Sequence, residues 1–398
     1  MALTVGTEIE IDIHDVAFGG RGVGRHEGCA VFVPFALIGE RVRVCITKSR
    51  KRYAEAELQE VLTVSEHRVE PECPLAYCCQ GCSYQHVEYA EEVRMKQQQL
   101  EGLLSRIGGL KDVTYKEPVA SPKHLGYRNK IVMHAQRERK LGYFGEDDRT
   151  IVDIPECLLA VKPINDRLRH FRINAKQMKM LRPNARVTFR WTENDGVVHW
   201  IDRESGVDRL MEKSPIGNMK VPRRSFYQVN PAAGEMLVKR VIEIVKNRKP
   251  EYFMDCFCGV GLFAIAAGLN GAKQVLGVER QSMAVRAARQ NTKAAGVWAE
   301  FIAADAEDIA EDALGKVDCA EAMVIVDPPR EGLEKDLVTI LIDKKPQSLI
   351  YVSCAPDTLA RDLKLLTADA YEVVDCQMID MFPRTKHFES VTLLTLKV

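Results

Sequence analysis

No apolar run in the 398-residue chain approaches the roughly 18 residues that span a bilayer. The opening MALTVGTEIEIDIHD has neither the basic nor the apolar region of a signal peptide. A cytoplasmic protein without a membrane partner is therefore expected. An excess of either charge is missing too, since 56 Lys and Arg face 56 Asp and Glu. Whole-chain charge thus gives no warrant for a nucleic-acid partner, and only local clusters can supply one. Internal repeats and low-complexity segments are absent, and so is the GxxxxGK[ST] of a phosphate-binding loop, which disfavours an ATPase or GTPase. What remains is 46% hydrophobic and 28% charged, enough for two or three cored domains.

Cysteine is not scarce. Twelve in a long chain of cytosolic character argue for metal ligands or catalysis rather than a disulfide framework, which makes their spacing the question. Cys73, Cys79 and Cys82 form C-x5-C-x2-C, and Cys157 follows 75 residues later in DIPECLL. Three close thiolates and a distant fourth can enclose zinc or an iron–sulfur centre and pin two segments together. Cys78 permits an alternative register, but Cys79 makes the better attested CxxC with Cys82. Cys29, Cys45, Cys256, Cys258, Cys319 and Cys376 have no such grouping and read as structural.

Three regions are expected. Residues 1–62 alternate apolar and polar in short runs punctuated by glycine, which predicts a β-barrel of about five strands. Lys48, Arg50, Lys51 and Arg52 cluster there beside Tyr53, either as a solvated charge run or as a phosphate-contacting patch. Residues 63–209 carry the four cysteines, a helical stretch and then IVMHAQ, LGYFG, TIVDI, RVTFRW and VVHWID, which read as antiparallel β structure. Residues 210–398 alternate strands with helices, the pattern of a parallel, doubly wound α/β sheet.

In that last region YFMDCFCGVGLFAIAAG places Asp255 at a strand end before a turn bearing Gly259 and Gly261. QVLGVE ends at Glu279, a position suited to ribose hydroxyls, FIAAD at Asp305 and MVIVDPPR at Asp327. Four successive strand ends thus carry a carboxylate, at separations of 24, 26 and 22 residues, and the fifth, in LIYVSCAPDTLARDL, carries Cys354. Ligands of open α/β sheets gather outside those ends.

DCFCGVG, VDPPREG, YVSCAPDTLARDL and FPRTKHFESVTLL, in that order, resemble the motifs of the RNA uracil-5-methyltransferase family. The N-terminal region resembles the family's TRAM domain, an oligonucleotide-binding-type barrel. The cysteines resemble the [4Fe-4S] site of its ribosomal RNA branch. The resemblance implies S-adenosyl-L-methionine as methyl donor and Cys354 as nucleophile toward carbon 6 of uracil. It implies Glu389 as the base that removes the carbon-5 proton. Gln228, Phe257, Gly259, Gly261, Glu279 and Asp305 would complete the cofactor site with Asp255, and Asp327 would hold the uracil edge or organise its turn. Leu262 stands where some members carry asparagine. In YRNK, Arg128 and Lys130 would face RNA. The expected substrate is 23S ribosomal RNA, with transfer RNA the alternative and no obligate protein partner. An iron–sulfur oxidoreductase would leave Cys354 without a role, and a silent RNA binder would leave the matched site idle.

Overall fold

The computed structural model describes residues 3–136, 140–145, 149–202 and 209–397. The chain begins with β1 (Glu8–Ala17), β2 (Arg21–His26), β3 (Cys29–Pro34), β4 (Arg41–Ser49) and β5 (Tyr53–Thr63). They close into a barrel in the order β1-β2-β3-β5-β4, antiparallel except for the parallel β3 and β5. In β1 the isoleucines at 9, 11 and 13 point inward and the acidic residues between them outward, so period-2 patterning becomes a filled barrel interior.

After the cysteine segment comes α1 (Tyr89–Arg106), then β6 (Lys130–Gln136), β7 (Lys140–Phe144) and β8 (Ile151–Asp153). Next are α2 (Lys162–Ile173), α3 (Ala175–Met180), β9 (Arg186–Thr192) and β10 (Gly196–Ile201). The five strands form one antiparallel sheet ordered β10-β9-β6-β7-β8, as the alternating runs predict. Its core unites Ile131, Met133 and Phe189 with Leu168 and Phe171 of α2.

A two-stranded ribbon, β11 (Arg209–Ser214) and β12 (Gly217–Pro222), leads into α4 (Pro231–Arg248). There follow β13 (Tyr252–Asp255), α5 (Leu262–Leu269), β14 (Gln274–Val278), α6 (Ser282–Ala295), β15 (Glu300–Ile302) and α7 (Ala306–Leu314). The chain ends with β16 (Ala322–Val326), α8 (Lys335–Lys344), β17 (Ser348–Ser353), α9 (Pro356–Asp369), β18 (Tyr371–Ile379) and β19 (Glu389–Leu396). The strand order is β15-β14-β13-β16-β17-β19-β18. Every residue of β16 and of β17 is buried, as helices on both faces of a parallel sheet require.

Two features differ from the sequence expectation. β19 runs antiparallel between β17 and β18, because residues 380–388 join β18 to β19 without the crossover helix that a parallel pair needs. And α1, inside the stretch expected to form the central region, packs its Val93, Leu100 and Leu104 into the core beneath the seven-stranded sheet. Among the described residues no helix is long and apolar enough to cross a membrane.

Candidate active site

The strand order reverses between β13 and β16, and the residues at the carboxyl ends of these strands and of β17 face one crevice. Asp255 closes β13, Asp327 follows β16, Cys354 follows β17, and Glu389 opens β19, whose Ser390 pairs with Ser353. Asp255 is fully buried; its Oδ2 accepts from Ala264 N at 3.1 Å, while Oδ1 has no partner. Burial, then the nearby Asp327, pushes its carboxyl up to about 8. Burial likewise lifts Asp327 to about 7. Glu389 is 4% exposed with Oε2 unpartnered, and burial together with Asp327 drives it well above the usual carboxylate range. Half-buried Cys354 is pushed up to about 11, first by burial and then by Glu389 and Asp327. Arg330, whose guanidinium faces the thiol, acts in the opposite direction.

The glycine turn lies beside this group. Gly259 has φ +53° with open space where a Cβ would stand. Gly261, the N-cap of α5, has φ +89°, and a Cβ there would press on Phe301 and Ala288 at 3.1 and 3.2 Å. The Glu279 carboxylate accepts from Gly259 N at 3.2 Å and Gln281 N at 2.7 Å, so the turn and the second strand end are already joined. Phe257 is half-buried against the core below the sheet, and its backbone N–H opposes the upward push on the Asp255 carboxyl. Asp305 stands at the N-cap of α7 with Arg280 Nε 3.8 Å away. Gln228 is 6% exposed with Oε1 unpartnered. The open Asp255 Oδ1 near a glycine with free space where a Cβ would stand fits a polar nucleoside ligand entering there, and Gln228, against Gly234 of α4, offers a second open polar atom.

The sequence reading missed the frame that holds Glu389. Residues 380–388 are clamped by a buried four-charge network: Lys96 Nζ lies 2.7 Å from Glu92 and 2.8 Å from Asp380, and Arg384 donates to Glu92 from its amide at 2.7 Å. Arg384, at φ +66°, also donates to the Val87 carbonyl at 2.6 Å. Tyr127 OH donates to the Pro383 carbonyl at 2.9 Å, and Asn230 Nδ2 to that of Met381 at 3.1 Å. It also missed Arg330 and His387, whose Nη2 and Nε2 lie 3.0 Å apart beside Cys354. The motif DPPR contains Arg330, but nothing local connects it to His387.

The four expected cysteines gather in one place: Cys82 lies within electrostatic reach of Cys157, Cys79 and Cys73, and Cys73 and Cys79 both feel Cys157. Burial, reinforced by the neighbouring sulfurs, pushes Cys79 up to about 11 and Cys82 to about 12. Tyr143 lies beside Cys157. Cys78 is exposed, and its thiol donates to the Leu75 carbonyl. Among the described residues no three His, Cys, Asp or Glu side chains stand close enough to share a single metal ion.

The basic residues differ in setting. Arg50, Lys51, Arg52 and Tyr53 are exposed at the β4–β5 turn, with Tyr53 edge-on to Phe32, while Lys48 is paired with Glu55 at 3.2 Å. Arg128 and Lys130 are not on an open surface. Arg128 lies over the Phe382 ring at 6.0 Å with Nε unpartnered. Lys130 pairs across the sheet with Arg190, and burial, then Arg190, pushes it down to about 8.

Residues 207–397 match the family described as tRNA (uracil-5-)-methyltransferase, and residues 2–59 match the TRAM domain. An uncharacterized RNA methyltransferase of Halalkalibacterium halodurans is 30% identical over 98% of this chain and 97% of its own. The 23S rRNA (uracil(1939)-C(5))-methyltransferase RlmD of Neisseria lactamica is 30% identical, covering 98% and 96%. The crystal structure of a Pyrococcus abyssi tRNA (uracil-54, C5)-methyltransferase in complex with S-adenosyl-L-homocysteine is similar with TM-score 0.76 and 28% identity, over 97% of this chain and 99% of that one. With a relative at 30% identity along nearly its whole length and both regions matched in order, the chain belongs to the tRNA (uracil-5-)-methyltransferase family of RNA-modifying enzymes.

Proposed function

We propose that this RNA uracil-C5 methyltransferase acts on a uridine of 23S ribosomal RNA, with Cys354 as nucleophile and Glu389 as base. The observation that carries the chemical assignment is the meeting of the Cys354 thiol, the buried Glu389 and Asp327 at one strand-end crevice, with Arg330 on the thiol. Carbon 5 of uracil is a poor nucleophile. Once ionised, the Cys354 sulfur adds to carbon 6, and the electron pair of the carbon 5–carbon 6 bond becomes an enolate that makes carbon 5 nucleophilic. Gln228, Gly259 and Glu279 would hold S-adenosyl-L-methionine, which would supply the methyl group to carbon 5 and be released as S-adenosyl-L-homocysteine. Glu389 then takes the proton from carbon 5, the ring double bond reforms, and the thiolate leaves. Burial that raises the Glu389 pKa also makes its carboxylate a stronger base than an exposed one.

A paired uracil is out of reach of both sulfur and donor, so the target is unpaired or flipped from its stack. The exposed Arg50, Lys51, Arg52 and Tyr53 of the barrel would track the RNA backbone and stack on a base. Arg128, deeper and over the Phe382 ring, would meet the strand near the crevice, whereas Lys130 is enclosed by Arg190 and Glu212. Phe18 of the barrel packs edge-on against Phe388 at 6.0 Å, which joins the RNA-binding module to the residue before Glu389.

Cys73, Cys79, Cys82 and Cys157 would hold a [4Fe-4S] cluster. Their convergence supports four sulfur ligands, and the spacing C-x5-C-x2-C with a distant fourth cysteine, similar to that of the family's ribosomal RNA branch, favours the cluster over zinc. Methyl transfer needs no electrons, so the cluster would serve as a crosslink between the two cysteine segments. The ribosomal target is supported by the Neisseria relative; transfer RNA is the second reading, supported by the Pyrococcus structure. Mass-spectrometric mapping of 5-methyluridine, in cells with and without this gene, tests both. A site lost from 23S RNA alone is the expected result, and a loss confined to transfer RNA would move the enzyme to the second reading.

A further inference from the structure

We infer that His387 is a positioning residue for this reaction: its neutral imidazole holds the Arg330 guanidinium against the Cys354 thiol, so the charge that favours the thiolate is in place before RNA binds. The inference rests on Cys354 being the nucleophile.

A guanidinium only donates, so in the 3.0 Å contact His387 Nε2 accepts and the ring proton sits on Nδ1. An imidazolium would have no lone pair for Arg330 and would repel it, so the contact exists only for the neutral ring. The surroundings enforce that state: burial comes first, and Arg330, Lys386, Arg128 and Lys96 add positive charge, which together push the ring down to about 3.

Both partners are held from behind. The His387 ring meets Phe382 edge to face at 6.3 Å, its amide donates to Thr385 Oγ1 at 3.3 Å, and residues 380–388 are clamped as described. The Arg330 carbonyl accepts from Thr358 Oγ1 of α9, which begins two residues after the thiol. The Arg330 side chain is otherwise exposed, and an unrestrained arginine there would sample many rotamers. An aspartate or glutamate in place of His387 would also anchor the guanidinium. It would cancel its charge, however, and add a third carboxylate beside Asp327 and Glu389, both of which already oppose the thiolate. A neutral acceptor orients the cation without neutralising it.

The test compares full-length wild type with His387→Leu, His387→Gln and Arg330→Gln. Alkylation of Cys354 by iodoacetamide is followed by peptide mass spectrometry at mildly alkaline pH, alongside RNA methylation kinetics. His387→Leu should alkylate about tenfold more slowly, a shift of about one pH unit in thiol ionisation, and lose about tenfold in kcat with KM for RNA nearly unchanged. The glutamine variant, whose amide oxygen also accepts, should recover most of both. Arg330→Gln should reproduce the leucine effect, and the two changes combined should add nothing further. An unchanged alkylation rate in His387→Leu would overturn the inference, as would a loss confined to KM, which would make His387 an RNA contact. A slowed alkylation in a protein that methylates no RNA would keep the pair and discard the methylation reading.

Discussion

Cys73, Cys79 and Cys82 in one region and Cys354 in another are all raised by burial, yet their surroundings differ. At the first three the further upward push comes from other sulfurs, and the neighbours that oppose it are Gln85 and the Leu75 and Gly81 backbone. At Cys354 it comes from Glu389 and Asp327, and Arg330 opposes it. Four thiols crowded together cannot ionise jointly unless a metal centre absorbs their charge, whereas one thiol facing one guanidinium can ionise alone and transiently. On the proposed reading, the charges around a cysteine, more than its depth, separate a ligand from a nucleophile.

The largest expected effect comes from removing the lone thiol. Cys354→Ala should lower methylation by at least ~10³-fold and abolish any covalent RNA adduct, with bound iron unchanged; retained turnover in a radiolabelled-methyl assay would break the contrast. Glu389→Gln should slow turnover by ~10²–10⁴-fold while a methylated, covalently attached RNA accumulates, visible as a denaturation-resistant band shift. Its absence while activity persists would remove Glu389 as base. Cys157→Ser should do the reverse of Cys354→Ala: most of the iron and the broad visible absorbance go, and stability falls by about 2–4 kcal/mol if the cluster acts as a crosslink. Anaerobically purified wild type without iron would end the cluster reading.

Smaller effects sharpen the electrostatic side. A carboxyl that titrates near 8 when folded and near its ordinary value when unfolded binds more protons in the native state across that interval. Asp255 therefore stabilises the ligand-free fold at low pH and loses that contribution as pH rises through about 8. Denaturant titrations of Asp255→Asn should show a shallower fall in stability with rising pH than wild type, and equal slopes would count against the buried-acid description. Smallest of all, Lys51→Ala and Arg52→Ala should each raise KM for RNA two- to threefold, about 0.5 kcal/mol, and reduce the salt dependence of binding by about one counterion. Neither should touch iron content or Cys354 alkylation.

Much of this was legible from local pattern. The five barrel strands, the five strands of the central sheet and the carboxylates at successive strand ends follow from periodicity and from residues adjacent in sequence. Hidden from that reading were contacts between distant residues. Lys96 and Asp380 are 284 positions apart, and the charge of either one read alone suggests a solvated surface. Lys130 shows the same limit, because a basic residue after Arg-Asn resembles a surface contact until its neighbours Arg190 and Glu212 are seen to enclose it.

The sequence by itself determined which chemical groups this protein owns and that strand-terminal Asp255, Glu279, Asp327 and Cys354 reach one crevice, because strand ends in a parallel sheet share an edge. Only the tertiary structure decided that β19 inserts antiparallel beside β17, that α1 locks residues 380–388 and Glu389 in place, and that Arg330 meets His387 at the thiol. Buried charges and pairwise geometry take their energies from neighbours that the folded chain alone brings together.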